Sequence, residues 1–561
     1  MMVGSLAMCS ESPVGVAREV VHGADLGETV ASQRHFAPEH LVQLGRTPLQ
    51  HEVLGVIRSQ LEGWRERPRR ATAVLSYLAR NRLPSTATQV LALMLASRVE
   101  ASVFHYNAAI NACEKGSQWQ LAISLLSTMP NEGVMPDTIS YNSAISACEK
   151  GGEWQMALSL LISMTGMRAV PDEISFNSAM SSCEKAGHWQ LALSLLTAMP
   201  GMSLTPDKIS YSAAISACEK RGLWQLAMSL LSEMPQMRTT PDEITYSAAI
   251  STCEKAGKWQ LAMSLLSQMP EMKVTIDKVT LNAAISACSK GGQWQLALSL
   301  LSSMPDLAVR PNEITCNAAI SACERGCQWQ QALGLLSAMG DMRLTPNEIS
   351  YSAAIAACGK AGHWPLALSL LSAMPNLRVF PNEISYSAAI SACEKGGQWQ
   401  LALSLLSSMP DVRMSANEIS YSAAISACEK GGRWQWAVHL LRIMPEMMVI
   451  PNAISFSAAI SACEKAGLWQ LALSLLTSMS DLQVIPDAIS YNAAMSACAQ
   501  GGQWQLALSL LSTSDSLELL PNEISYNSYD AVISACAKGG QPLLLLSLLG
   551  EQSMAALNLL R

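Results

Sequence analysis

The sequence predicts an all-α fold: a right-handed superhelical solenoid of stacked antiparallel helical hairpins, an α-α repeat superhelix. Three observations carry this prediction. Trp recurs every 35 residues from Trp119 and Trp154 to Trp504, in twelve of its 14 occurrences. Cys keeps the same step from Cys113 and Cys148 to Cys498, in twelve of its 16. A period of roughly 20–50 residues marks a solenoid, propeller or array, and this one runs through 103–522 without an insertion. Composition agrees: 50% of the residues are hydrophobic, 5% aromatic and 14% charged, whereas about 25% charged is usual. That balance belongs to small helices rich in Ala, Leu and Ser. The apolar content excludes disorder, and the lack of a three-residue Gly period excludes collagen. No stretch of about 18 residues stays apolar, which excludes a membrane bundle. A net charge of −7 excludes a merely sticky binder of polyanions.

The unit begins after the Asp or Asn that follows the recurrent Pro, so that one copy is Glu313 to Asn347. Its fourth, seventh, eighth and eleventh residues are apolar in nearly every copy, as in Tyr211, Ala214, Ile215 and Cys218. This is the i, i+3, i+4, i+7 stripe of an amphipathic helix. A break at Arg221 and Gly222 precedes a second helix with Trp224, Ala227, Met228 and Leu231 on one face. Leu226 and Leu230 give that helix another apolar face, so it must touch more than its own partner. It ends near Met234 and Pro235, and a turn leads to Pro241 and Asp242, where Asp is placed as the N-cap of the next first helix. Such a hairpin cannot bury its faces alone, whereas stacked copies share a continuous core.

The periodic Cys are expected as small buried residues at helix contacts. No CxxC pair occurs, and the nearest approach, Cys316, Cys323 and Cys327, lies in one repeat without His partners. No metal site and no cofactor are expected, and thiols in this number fit a reducing compartment. The periodic Trp open the second helix at a core-facing phase, and Met from Met129 to Met479 reads as core filler.

At 100° per residue, the second, fifth, ninth and thirteenth residues share the opposite face of the first helix. The second is aliphatic in eleven copies and Phe104 in the first. The fifth is always Asn or Ser, the ninth is small and mostly Ser, and the thirteenth is basic in eleven copies. One exposed apolar residue, two small polar residues and one cation per repeat suit an extended polymer with flat faces, hydrogen-bonding edges and negative charges. The cations are Lys115, Lys150, Lys185, Lys220, Lys255, Lys290, Arg325, Lys360, Lys395, Lys430 and Lys465, read as phosphate contacts. A Lys there also complements the helix dipole, usually with a Glu before it, and Asp or Asn at the thirty-fifth place also caps the next helix. Neither role explains the two-letter alphabet of the fifth place, since Asn and Ser are indifferent helix formers. The fifth and thirty-fifth residues are therefore read as base-recognition positions.

The period, the Tyr-Asn or Tyr-Ser at positions four and five, and the terminal Pro-Asp or Pro-Asn resemble the pentatricopeptide repeat (PPR), of the P type built only from 35-residue repeats. The period separates it from the 34-residue tetratricopeptide repeat. The resemblance covers 103–522 and the imperfect ends; the regular Trp and the Pro after Met depart from the family pattern, on the outer face. It implies modular binding of single-stranded RNA, one base per repeat. The fifth and last residues of a unit read the base, and the second-position side chains sandwich it. Those sandwiching residues are Phe104, Ile139, Ile174, Ile209, Ile244, Val279, Ile314, Ile349, Ile384, Ile419, Ile454 and Ile489.

In the family, Asn with Asp prefers uracil, Ser with Asp guanine, Ser with Asn adenine, and Asn with Asn a pyrimidine. The resemblance then implies U, U, U for Asn107/Asp137, Asn142/Asp172 and Asn177/Asp207, and G, G for Ser212/Asp242 and Ser247/Asp277. Asn282/Asn312 and Asn317/Asn347 imply a pyrimidine each, and Ser352/Asn382, Ser387/Asn417 and Ser422/Asn452 imply A, A, A. Ser457/Asp487 implies G, and Asn492/Asn522 a pyrimidine. With the family's polarity the target is 5′-UUUGGYYAAAGY-3′. RNA-processing proteins are expected as further partners, a membrane or small-molecule substrate is not, and the family setting implies a mitochondrion or plastid.

Residues 1–67 are expected as an N-terminal extension, targeting or unstructured, although six acidic residues within 1–60 are unlike an acid-poor presequence. Residues 68–102 read as a worn hairpin capping the array, 103–522 as twelve repeats, and 523–561 as a degenerate terminal repeat or cap in which Pro542 replaces the Trp. No deaminase pattern, phosphate loop or carboxylate cluster appears, so the chain is read as a binder and not an enzyme. A helical scaffold for proteins is the alternative, since similar solenoids bind peptides.

Overall fold

The computed structural model describes residues 38–516 apart from 46–47, 167–168 and 411–413, together with Ile533. The expected terminal cap at 523–561 lies outside the described residues except for Ile533, and Asn522 lies outside them too. The chain divides into two compact units, Met1–Ala287 and Cys288–Arg561. Each is a solenoid of stacked antiparallel helical hairpins, and no strand occurs among the described residues.

Local chemistry sets the ends of every first helix. In Glu173–Ala186 the N-cap Asp172 accepts a hydrogen bond from the Ser175 N–H at 2.9 Å, satisfying one of the donors that a helix start leaves without partners. The same residue ends one repeat and opens the next, as at Asp207 before Lys208–Glu219 and Asn382 before Glu383–Lys395. The break between the two helices of a hairpin needs a left-handed residue. Gly152, Gly187 and Gly432 supply it with φ of 78°, 79° and 66°, a region glycine enters without steric cost. The second helices start on Trp, as in Trp224–Glu233 and Trp399–Ser408.

Packing follows the apolar stripe. Tyr211, Ala214, Ile215 and Cys218 are buried, as are Ala227, Leu231 and Met234 of the second helix. Met129, Met199, Met304 and Met479 are likewise wholly buried, as core filler should be. Within each unit, first helices pack beside the next first helix, and second helices also contact the first helix of the following repeat. The extra apolar face of the second helix is spent on that neighbour.

The Trp do not enter the core of their own hairpins as expected. They are half-buried and lie against the next repeat. A Cβ on Gly151, Gly396 or Gly431 would collide with the ring of Trp119, Trp364 or Trp399. The outer ring faces are covered by that repeat as well: His188 lies 4.2 Å from Trp154 between ring centroids, and the Arg433 guanidinium lies 5.1 Å above Trp399. The indole is thus an inter-repeat spacer.

The stretch expected as an extension, 1–67, needs correction over its second half. Helices Glu39–Gln43, Gln50–Ile57 and Leu61–Glu66 bury Leu41, Val53, Ile57 and Trp64 against Val74, Leu75 and Leu78. The physical reason is the spacing of those apolar residues, which gives the hairpin Arg69–Arg80 and Pro84–Ala96 a covered end. Arg65 ties the two together by donating to the Ser97 carbonyl.

Candidate nucleic-acid interface

The second residue of every first helix is exposed although apolar. Exposure runs from 49% at Ile489 to 73% at Phe104, and Ile139, Ile174, Ile209, Ile244, Val279, Ile314, Ile349, Ile384, Ile419 and Ile454 fall between. Scattered exposed aliphatics are ordinary, but the same position in twelve copies is a pattern that a solvated face does not need.

Beside these residues the structure joins the fifth and thirty-fifth positions of one repeat. In the first unit Asn107 Nδ2 donates to Asp137 Oδ1 at 3.1 Å, Asn142 Nδ2 to Asp172 Oδ1 at 2.9 Å, and Asn177 Nδ2 to Asp207 Oδ1 at 3.1 Å. In the second unit Asn317 Nδ2 donates to Asn347 Oδ1 at 3.1 Å. The Ser352, Ser387 and Ser422 hydroxyls lie 3.5, 3.4 and 3.5 Å from the Oδ1 of Asn382, Asn417 and Asn452. Ser212 and Ser457 differ: each donates to a carbonyl of its own helix, Ile209 and Ile454, at 3.0 Å. Asn282 and Asn312 fall in different units, and the partner of Asn492 is Asn522, outside the described residues.

Capping and base reading, which looked like rival roles for the thirty-fifth residue, turn out to divide its two side-chain atoms. Oδ1 faces the helix and accepts the third residue's N–H, at 2.9 Å from Ser140 to Asp137 and 2.9 Å from Ser385 to Asn382. The other atom is turned to the groove, an acceptor oxygen in Asp and a donor amino group in Asn, although at Asp172 Oδ2 also accepts from Asn142 Nδ2 at 3.0 Å. At Asn452 that amino group donates to Glu418. For Asp137, burial alone would raise the carboxyl pKa. Hydrogen bonds from the Ser140 N–H, the Asn107 amide and the Ser140 hydroxyl outweigh it and hold the pKa below its ordinary value. The carboxylate is therefore ionised and acceptor-only at neutral pH.

The third position was missed. It carries a hydroxyl in eleven copies, Ser or Thr, after His105 in the first. That regularity was legible but went unread, because Ser and Thr near a helix start pass for ordinary capping residues. Ser140, Ser175, Ser210, Thr245 and Ser350 are wholly buried at this place, and several reach the preceding repeat's fifth residue.

One pocket in the first unit assembles the second, fifth, ninth and thirty-fifth positions. It is bounded by Ile244 and Val279, with Ser247, Asp277, Ser216 and Ser251 between them.

 The volume of this pocket is about 370 Å³. Two aliphatic side chains from successive repeats thus line one pocket with a fifth, a thirty-fifth and two ninth residues, beside Ala248 and the carboxylates of Glu219 and Glu243. A flat ring that offers a hydrogen-bonding edge fits this arrangement.

The cations form a ladder that the sequence did not show. Lys150 Nζ lies 2.7 Å from Glu114, Lys185 3.0 Å from Glu149, and Lys255 2.9 Å from Glu219. Lys360, Lys430 and Lys465 each lie 2.9 Å from Glu324, Glu394 and Glu429. Each pair joins the thirteenth residue of one repeat to the twelfth of the repeat before, rather than to its neighbour in sequence. Lys220 instead donates to the Lys185 carbonyl at 2.6 Å, and Arg325 to the Ser289 carbonyl at 3.4 Å. Lys395 follows a repeat whose twelfth residue is Gly359, and Lys115 begins the series. Half-exposed pairs of this kind are weak and exchange partners readily.

The periodic Cys are buried, and burial pushes the thiols of Cys148, Cys218 and Cys428 up to about 11. Cys327 is exposed. No group of residues able to hold a metal ion occurs among the described residues, and no helix among them is long and apolar enough to cross a membrane.

Comparison with known proteins adds the following. A model described as "PPR repeat family" matches residues 101–150 and 206–255. One described as "PPR repeat" matches 139–168, 174–204, 419–449, 454–484 and 489–513. The "Pentacotripeptide-repeat region of PRORP" matches 232–412. Together these segments span well over half of the chain. No curated protein matches it. Among solved structures, the pentatricopeptide repeat protein PPR10 from maize is 18% identical, with a TM-score of 0.59, over 97% of this chain and 87% of that one. PPR10 in complex with an 18-nt psaJ RNA element is 19% identical, with a TM-score of 0.46, over 97% and 89%. The PPR domain of Arabidopsis thaliana protein-only RNase P 1 in complex with tRNA is 17% identical, with a TM-score of 0.28, over 32% of this chain and 94% of that one.

Proposed function

This chain belongs to the pentatricopeptide repeat family, and from that premise we propose that it binds single-stranded RNA in a sequence-specific way, one base per repeat. The observation that carries the reading is the pocket bounded by Ile244 and Val279 over Ser247 and Asp277. A base slides between the aliphatic side chains and turns its edge to the polar pair. Stacking on aromatic platforms contributes roughly 1–3 kcal/mol per base, and Ile contributes less, so selectivity rests on the hydrogen-bonding pairs summed over many repeats.

The division of the capping residue supplies the logic of that selectivity. Asp turns an acceptor to the groove and suits the imino N–H of uracil or guanine. Asn turns a donor and suits the ring nitrogen acceptor of cytosine or adenine. At the fifth place, Ser leaves room for a purine, whereas the longer Asn suits a pyrimidine. The resulting target is 5′-UUUGGYYAAAGY-3′. The protein acts by occupancy, in transcript stabilisation, processing or translation, and we place this activity in a mitochondrion or plastid.

The test is a fluorescence-anisotropy titration of the full chain with 5′-UUUGGCCAAAGC-3′ against a scrambled 12-mer. A preference of at least about tenfold, or about 1.4 kcal/mol, is expected. Equal binding of both would refute the base assignments, and binding of neither would refute RNA recognition in favour of a protein scaffold.

A further inference from the structure

We propose that the third-position hydroxyl is a positioning residue for the base-reading pair of the preceding repeat: it fixes which way an Asn at the fifth position faces. The inference rests on the RNA-binding reading above. Four copies show the contact. Ser140 Oγ donates to Asn107 Oδ1 at 2.5 Å, Ser175 to Asn142 at 2.5 Å, Ser210 to Asn177 at 2.6 Å, and Ser350 to Asn317 at 2.5 Å. Each hydroxyl is wholly buried, and each bond joins one repeat to the one before it.

The two ends of an amide are nearly alike in shape and opposite in hydrogen bonding. Only its partners decide which end faces the groove. Here the constraints run in order. The N–H of the third residue makes Oδ1 of the thirty-fifth an acceptor on the helix side. That acceptor draws the Asn Nδ2 toward itself. The third-position hydroxyl then donates to the Asn Oδ1 and holds the opposite end of the amide. One N–H and one lone pair remain for a base, in a fixed order.

The Ser/Asp copies lack this contact. Thr245 Oγ1 donates to Asp242 at 2.8 Å and Ser490 Oγ to Asp487 at 2.7 Å, while Ser212 and Ser457 turn to carbonyls of their own helices. There the hydroxyl serves the cap alone. The array therefore contains its own control, since one substitution removes cap and latch together and the other removes the cap contact only.

The experiment compares Ser175→Ala with Thr245→Val in the full chain. Binding is read with 12-mers carrying U or C at the second nucleotide, and G or A at the fourth. Ser175→Ala is expected to lower the U over C preference about fivefold, the worth of one net hydrogen bond, and to leave G over A unchanged. Thr245→Val is expected to leave both preferences unchanged. Ser175→Thr keeps a hydroxyl and restores the preference, and Ser140→Ala repeats the test at the first nucleotide should Ser175→Ala fold poorly. Loss of selectivity in both variants, or in neither, overturns the inference. A wild-type chain that distinguishes neither U from C nor G from A overturns the base assignments of the proposed function, and one that binds no 12-mer overturns the RNA reading itself, both separate results.

Discussion

Replacing Asp207 with Asn separates the two duties of the thirty-fifth residue. Asp207 Oδ1 accepts from the Ser210 N–H at 2.8 Å and from Asn177 Nδ2 at 3.1 Å. Both bonds survive in the variant, because the Asn carbonyl oxygen takes the place of Oδ1 and Asn caps helices as well as Asp does. The charge lost at the helix start costs about 0.3–1 kcal/mol, so the melting curve should scarcely move. The groove side changes completely, from an acceptor oxygen to a donor amino group. A uracil N3–H then meets a donor, and leaving such groups unpaired costs about 1–3 kcal/mol, or roughly 5–150-fold in affinity. Cytosine N3 gains the donor it lacked. Anisotropy titrations at one salt concentration, with two 12-mers differing only in U or C at the third nucleotide, measure the shift toward C. An undiminished preference for U would refute the assignment of the outward atom. A large drop in melting temperature would refute the claim that the cap survives.

Other outcomes follow from the same geometry. Ile384→Ala, at a residue 65% exposed, should weaken RNA binding while shifting stability by no more than about 0.5 kcal/mol; a variant that binds as wild type does would argue against base sandwiching. Glu394→Gln removes the partner of Lys430. It should tighten RNA binding and steepen the plot of log K against log salt by up to about 0.7, and an unchanged slope would mean that Lys430 meets no phosphate. Alkylation of the native protein near pH 8 should modify Cys327 long before the buried thiols of Cys148, Cys218 or Cys428. Because burial raises those thiols from 9.0 to about 11, their contribution to stability is complete below pH 9 and is lost as pH rises through about 11. Denaturant melts at pH 7.5 and 10.5 would show the decline, and equal stability at both would contradict it.

The repeat itself was legible because a 35-residue period is a property of the chain, and nearly every hairpin repeats one local solution: a capping Asp or Asn, an apolar stripe, and a left-handed Gly that Ser117 and Cys327 replace in two copies. The exposed second position was legible for the same reason, since helical geometry alone puts Ile384 opposite Ile390. So was the fifth position, from its two-letter alphabet. The helices at 39–66 were not, because their short apolar spacing acquires meaning only against Val74 and Leu78. Nor were the Trp contacts, which depend on the gap between successive repeats rather than on helical phase.

What the sequence determined alone is the unit and its faces, since capping, amphipathicity and turn conformation act within a few residues. What only the tertiary structure decided is the contact between units. Lys150 with Glu114, Ser175 with Asn142 and Trp119 over Gly151 each join residues more than 30 positions apart. No helical periodicity specifies such pairs. They arise because stacking buries the apolar faces of adjacent hairpins, and the spacing that results brings one repeat's hydroxyl to the preceding repeat's amide.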